Sequence, residues 1–408
     1  MSAVQHAEHR PPEQLVLRAI QNLLEWIKAN GFDSYDQYDL WSTRLGKFAK
    51  KTYYENRFFG TPLVAPLVLT DTLFPSARRL FVRRNRVPIA DAHLIMGFVN
   101  MYDLTSDGSY LEKAHSIADD LLNSSIPGYS GYCWGYPFDW QTNRGLWERN
   151  TPLITTTPYC FEAFLRLYDA THEDSYLDIA ESSLAFALND LNESEYSRDL
   201  AACSYSPIDA SKVINANAYR SFMLLEGYKR FVNRQAKEIA IRNINFVLES
   251  QRDDGSWLYA VENRQDAFVD NLHTCFVLKN LFKANLIFHD ERIEASIEKG
   301  YRYYRDRLFY EDGTPKPFAE LHGFSPAKVE MYDFAEGISL GVLLKDSIEG
   351  AFEKASHLVN KLLQYQTKHG YFVTRVGPLG IKNRVPYLRW PQSQLFFALT
   401  QYLKAIQD

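Results

Sequence analysis

Four cysteines are little sulfur for a chain of 408 residues. Cys133, Cys160, Cys203 and Cys275 form no C-x-x-C pair and no Cys-x-x-His. That argues against a disulfide framework or a zinc site and for reduced, buried thiols. G-x-x-x-x-G-K-[ST], G-x-G-x-x-G and H-E-x-x-H are also absent, so no nucleotide loop, cofactor or metal is expected. The Gly-Thr-Pro runs at 60–62 and 313–315 are turns. No run of eighteen apolar residues exists, which excludes an integral membrane helix. The first ten residues lack the apolar core of a signal peptide, and a cytoplasmic location is the expectation. The net charge of -5 leaves no electrostatic case for nucleic acid or an anionic membrane.

Aromatic residues, by contrast, are abundant: 26 Tyr, 26 Phe and 7 Trp. Hydrophobic residues make up 46% and charged residues 23%, the balance of a globular chain with a large core. Beyond filling that core, some Trp and Tyr can serve as flat platforms for a ligand with apolar faces, such as a sugar.

The aromatics fall in a repeated pattern. Gln251-Arg-Asp-Asp-Gly-Ser-Trp257 ends one helix in an Asp-Gly turn, and Val269-Asp-Asn-Leu-His-Thr-Cys275 starts the next behind a polar cap. Helix starts of this kind fall near Asp91, Thr155, Asn215, Asn271, Tyr332 and Pro391, at intervals of about 64, 60, 56, 61 and 59 residues. Second, amphipathic helices are predicted near 14–30, 109–124, 173–190, 234–250, 291–307 and 350–366. The first kind is apolar nearly all round, as in Phe161-Glu-Ala-Phe-Leu-Arg-Leu-Tyr168, and belongs to an inner ring. The last inner helix lacks an outer partner after it, and the first outer helix lacks an inner partner before it. Pairing those two closes a ring: an all-α (α/α)6 toroid in one domain spanning 1–408. Residues 1–11 form a loose tail and 61–82 an extra helix broken near Pro66 and Pro75. An open solenoid, the alternative, leaves both terminal faces bare.

In such a ring the long loops gather at the N-terminal ends of the inner helices, where free N–H groups favour hydroxyl-rich or anionic ligands. The loop Gly128-Tyr-Ser-Gly-Tyr-Cys-Trp-Gly-Tyr-Pro-Phe-Asp-Trp140 offers Trp134, Tyr136 and Trp140 as stacking surfaces, joined by Trp257. Asp139, flanked by Phe138 and Trp140, is a general-acid candidate if burial raises its pKa. Glu336, one turn from Tyr332, is the second acid/base candidate and Asp270 a third carboxylate, with His273 or Tyr332 as proton-transfer alternates. Asn215, Asn217, Asn271, Arg389, Trp390 and Gln392 are candidates to hold hydroxyls or a carboxylate. Paired carboxylates suit glycosidic cleavage, whereas a Tyr/His/Arg set suits proton abstraction beside a uronate carboxylate; spacing alone leaves both open.

Gln251-Arg-Asp-Asp-Gly-Ser-Trp257 resembles the QW-type repeat of terpene cyclases and prenyltransferase beta subunits, without their acid motifs. The wider pattern over roughly 30–400 is more similar to six-hairpin toroids of carbohydrate-active enzymes: unsaturated glucuronyl hydrolases, acylglucosamine 2-epimerases and D-glucuronyl C5-epimerases. Trp134-Gly-Tyr-Pro-Phe-Asp-Trp140, Asp254-Gly-Ser-Trp257 and Asp270-Asn-Leu-His-Thr274 look like a bacterial family of this fold found with exopolysaccharide genes. The resemblance implies an enzyme acting on an oligosaccharide or lipid-linked sugar, with glycan-assembly partners. The rival readings are a non-catalytic glycan-binding scaffold and an isoprenoid-processing toroid, the latter disfavoured by the polar inner-helix starts.

Overall fold

The computed structural model describes residues 10–261, 267–321, 325 and 327–407. In chain order α1 (Glu13–Asn30) is followed by α2 (Asp39–Ser42), α3 (Arg44–Glu55), α4 (Arg57–Leu73), α5 (Pro88–Thr105), α6 (Gly108–Asn123), α7 (Thr157–Thr171) and α8 (Asp174–Asn189). Next come α9 (Ile214–Phe231), α10 (Arg234–Glu249), α11 (Asn271–Phe288), α12 (Glu291–Arg307), α13 (Met331–Leu343), α14 (Ala351–Leu363) and α15 (Gln392–Gln407). Short antiparallel strand pairs decorate the long loops, among them β1 (Trp140–Thr142) with β2 (Gly145–Trp147).

Helices α5, α7, α9, α11, α13 and α15 form the inner ring. Each packs on the next, and α15 returns to pack on α5, α13 and α1. That last contact closes the toroid as the unpaired terminal helices imply. Burial follows the two kinds of pattern. Every residue from Pro88 to Met101 of α5 is buried, whereas outer helix α1 buries only Val16, Ala19, Ile20, Leu23 and Ile27, one stripe at helical spacing. The N-terminal tail before residue 10 lies outside the described residues. The extra segment differs from expectation. It is a helical hairpin, α3 and α4, followed by a 3-10 turn at Pro75–Leu80, and α4 runs through Pro62 and Pro66 instead of breaking there. Each proline removes one ladder donor without ending the helix.

The QW-like motif has a structural job. The Gln251 side-chain amide donates to Gly255 O at 3.0 Å and to Ser296 O of the neighbouring outer helix at 2.9 Å. Gln366 does the same toward Gly370 O and Ala19 O, at 2.7 and 2.8 Å. Gly255 and Gly370 sit at φ +94° and +95°, left-handed turns that a side chain resists. Each glutamine thus clips the turn after one outer helix to the next outer helix round the ring.

The tight turns from inner to outer helices put Ser106, His172, Val232 and His289 in left-handed geometry. Val232, at φ +56° and exposed, is β-branched and poorly suited to it. Val232→Gly is expected to raise stability by roughly 1 kcal/mol, seen as a higher urea midpoint at unchanged slope.

Candidate active site

The loops and inner-helix N-termini enclose a cavity of about 320 Å3 at one end of the ring axis. Inner helices supply Ile89, Tyr159, Asn215, Tyr219, Leu272, His273, Phe276 and Tyr332; loops supply Tyr136, Trp140, Arg144, Trp147, Thr155, Tyr205, Tyr259, Phe268, Arg389 and Trp390. Tyr38, Lys50 and Tyr54 come from the segment around the α3–α4 hairpin. Among the described residues no carboxylate lines this cavity. Its chemistry rests on phenols, indoles, one imidazole and three cationic side chains.

His273 is the imidazole. Asp270 caps α11, its Oδ1 accepting from His273 N at 2.8 Å, while Oδ2 contacts His273 Nδ1 at 2.6 Å. That second contact places the proton on Nδ1 and leaves Nε2 the basic position. The ring is wedged by Tyr259 at 4.6 Å and Phe276 at 5.6 Å, both edge-on. Asp270 is therefore an orienting carboxylate behind His273, not one that faces the cavity.

Beside His273 lie hydroxyls held protonated. Tyr219 OH and Tyr159 OH share a hydrogen bond of 2.5 Å. Burial, then the charge of Glu336 below, pushes Tyr219 and Tyr332 well above the ordinary phenol range. The Tyr332 ring stands perpendicular to Trp390 at 4.4 Å. Asn215 Oδ1 is buried beside the cavity with no hydrogen-bond partner among the described residues. Burial lowers the Lys50 ammonium to about 8.

Arg389 lines the wall but its fork is engaged. Nε and Nη2 donate to Asp36 Oδ2 and Oδ1, each at 2.6 Å, and its guanidinium lies over Tyr136 at 4.7 Å and Tyr38 at 5.0 Å. It is a wall support more than a free carboxylate clamp. Tyr38 in turn stacks on Trp140 at 5.6 Å. Trp390 donates from Nε1 to Glu330 Oε2 at 3.3 Å.

Burial pushes the Glu330 carboxyl up to about 7, against the pull of Arg375. A carboxyl whose folded value exceeds its ordinary 4.5 favours the folded chain while protonated. That contribution is complete below about pH 4.5 and is lost as pH rises through about 7. Glu330→Gln is expected to flatten the fall in thermal midpoint between about pH 5 and pH 8, a comparison made by scanning calorimetry in matched buffers.

Several expected site residues are not among the described residues that line this cavity and are engaged by other protein groups. Asp139 is ion-paired with Lys47 of α3 and accepts from Arg149 N at 3.0 Å. Burial would raise its pKa, but the Lys47 and Arg149 contacts outweigh burial and the net shift is downward, the reverse of what a general acid needs. Glu336 is not among the described residues that line the cavity and pairs with Lys279 at 2.5 Å. Trp134 and Trp257 are core anchors whose indole N–H groups donate to Leu121 O at 2.8 Å and Val247 O at 2.9 Å, near the ends of α6 and α10. Three buried amides serve backbone. Asn217 accepts from Cys203 N at 2.7 Å, Asn271 donates to Leu308 O at 3.1 Å, and Gln392 bonds both Phe372 N and Phe372 O. His273, Tyr332, Tyr136, Trp140, Asn215, Arg389 and Trp390 do come together around the cavity. The sequence reading missed Tyr38, Lys50, Tyr159, Tyr205 and Tyr259, and placed Tyr219 on one helix face with Asn215 without giving it a role. For Tyr159 and Tyr219 a signal existed, since each lies one helical turn into an inner helix.

This arrangement of helices is found in solved structures. The cellobiose 2-epimerase of Bacillus thermoamylovorans superimposes with a TM-score of 0.62 at 12% identity, over 79% of this chain and 90% of that one. The chain has the (α/α)6 toroid fold. An unsaturated glucuronyl hydrolase specific for heparin matches with a TM-score of 0.60 at 13% identity, over 80% and 89% of the two chains. An α-1,6-mannanase of a Salegentibacter species, in complex with α-1,6-mannotetrose, matches with a TM-score of 0.58 at 14% identity, over 80% and 91%. No protein-family model and no curated protein sequence matches the chain.

Proposed function

We infer that the protein is a carbohydrate-active enzyme that moves a proton at a sugar ring carbon, as a lyase or epimerase of an acidic glycan. The observation that carries this reading is His273, held by Asp270 behind it, lining a cavity with no carboxylate among its described lining residues. Two flanking carboxylates are the usual apparatus of glycosidic cleavage, and neither Asp139 nor Glu336 reaches the cavity. The fold shared with sugar epimerases and glycan-cleaving enzymes supports a saccharide as ligand.

In this reading His273 Nε2 takes the proton α to a uronate carboxylate. Lys50 and Arg144 offset the charge that develops on the carboxylate oxygens. The neutral hydroxyls of Tyr219 and Tyr332 supply a proton: to the leaving oxygen in elimination, or to the opposite face of the carbon in epimerisation. Trp140, Trp147 and Trp390 stack on sugar faces, and Asn215 Oδ1 accepts from a hydroxyl. The natural substrate is a bacterial surface-glycan or exopolysaccharide intermediate, free or lipid-linked.

Incubation with uronate-containing and neutral glycan fragments in deuterated water tests this. An epimerase is expected to leave solvent deuterium on one inverted ring carbon, whereas a lyase leaves a new double bond at that carbon and no deuterium on it, the two being told apart by NMR and mass. Hydrolytic cleavage without carbon-bound deuterium would overturn the proton-transfer reading. Binding with neither exchange nor a new double bond would favour a glycan-binding scaffold, the reading that the aromatic walls alone would also permit.

A further inference from the structure

We propose that the α3–α4 hairpin, which walls the cavity, is a membrane-docking element for an anionic lipid surface. Along α4 the exposed Phe58, Pro62, Ala65, Pro66, Leu69 and Leu73 are spaced to form one stripe without a charged residue, and Arg57 and Thr61 of the first turns are exposed as well. Phe58 and Phe59 are 81% and 64% exposed, and beyond the helix Phe74, Leu80 and Phe81 are 68%, 80% and 68% exposed. Leu45 and Phe48 extend the apolar surface onto α3. Water-exposed apolar side chains at this density mark an interaction face.

The charge around that face selects the occupant. Residues 44–86 carry ten Lys or Arg against two acids, in a chain whose net charge is -5. One of the two acids, Asp71, is buried against Arg78 and Arg375. Arg44, Lys51, Arg57, Arg79, Arg83 and Arg84 are exposed. An apolar stripe flanked by cations suits a helix lying in the headgroup region of an anionic bilayer. A second copy of the chain would bring two strongly basic segments together and repel. No described helix is long and apolar enough to cross a bilayer.

The hairpin also walls the site. Lys50 and Tyr54 of α3 line the cavity, and Lys47 of the same helix pairs with Asp139 beside β1. Docking by the opposite side of the hairpin therefore sets the cavity next to the lipid surface. A membrane-anchored glycan is the substrate class that follows, a step that rests on the saccharide reading of the cavity.

Flotation of the full chain with vesicles tests the docking itself. The vesicles are phosphatidylcholine alone, or an equal mixture with phosphatidylglycerol. The wild-type chain is expected to float with the mixed vesicles and to be released by high salt. Phe58→Glu combined with Phe59→Glu and Leu69→Glu, and separately Arg79→Glu with Arg83→Glu, are each expected to cut binding by at least about tenfold. These side chains are exposed, so unchanged thermal midpoints confirm that the variants fold. A wild-type chain that stays at the bottom with mixed vesicles overturns the proposal. So does equal binding by the triple variant. A dimer in sedimentation that the triple variant returns to monomer overturns it in favour of self-association. Flotation reads no turnover, and isotope exchange on free glycan reads no membrane, so either inference can fail alone.

Discussion

His273→Gln is expected to lower kcat by about two to four orders of magnitude, the usual worth of a positioned general base, and to abolish deuterium exchange at the substrate carbon. Nδ1 of His273 is committed to Asp270 at 2.6 Å, which leaves Nε2 as the position that can take a proton. Tyr259 and Phe276 hold the ring edge-on and remove its freedom to flip. Glutamine fills part of the space but carries no basic nitrogen. KM should change far less than kcat, because aromatic walls and cations supply the binding. Asp270→Asn separates orientation from basicity. It can still accept from His273 N at the cap but no longer offers an anion to Nδ1, so kcat should fall while the cap is kept. Single-turnover exchange followed by NMR checks both variants. Equal exchange by wild type and His273→Gln would remove His273 from the chemistry.

Arg78→Met is expected to destabilise the fold by about 3–5 kcal/mol, the cost of stripping one partner from a buried ion pair. Arg78 Nη1 contacts Asp39 Oδ1 at 2.5 Å and also donates to Asp36 O, while Nη2 donates to Asp71. Nε adds Pro75 O at 3.1 Å, and the guanidinium lies over the Tyr387 ring at 4.7 Å. Asp71 also takes Arg375 Nη2 at 2.5 Å, across 304 residues of chain. Arg78 thus ties the loop after α1, helix α4 and the loop before α15 into one charged knot. Removing it leaves two buried carboxylates under-compensated and loosens the α3–α4 hairpin from the ring. Lys50 and Tyr54 should then lose their place in the cavity wall, so ligand affinity falls along with stability. Equilibrium urea unfolding gives the first quantity, and calorimetric titration at a temperature where the variant stays folded gives the second.

How far the site could be read from the chain depended on what each side chain answers to. Inner-helix starts were legible because burial on all sides demands an unbroken apolar pattern, and a polar first turn demands a cap. His273, Asn215 and Tyr332 stand at those starts and line the cavity. Asn217 and Asn271 stand at the same kind of start and bond backbone instead, because a first-turn amide satisfies a ligand or a loop carbonyl with the same chemistry. Trp134 and Trp257 misled for a related reason: an indole that stacks on a sugar and one that donates to an outer-helix carbonyl look alike as letters. Asp139 was read as isolated between aromatics, while its partner Lys47 lies 92 positions away.

The sequence by itself determined the toroid. Helical period, caps and roughly sixty-residue spacing are local properties, and ring closure follows from two terminal helices that each lack a partner. It also determined that the long loops gather at the inner-helix N-termini, where the cavity lies. Only the tertiary structure decided which groups face the cavity. It turned Asp139 and Glu336 into ion pairs, set Asp270 behind His273, and brought Tyr38 and Lys50 in from a segment outside the repeats. It also exposed the apolar stripe of α4, which in sequence reads like any buried helix. Those outcomes depend on contacts between residues far apart in the chain, where burial and partner charge decide what a side chain does and local pattern carries no record of either.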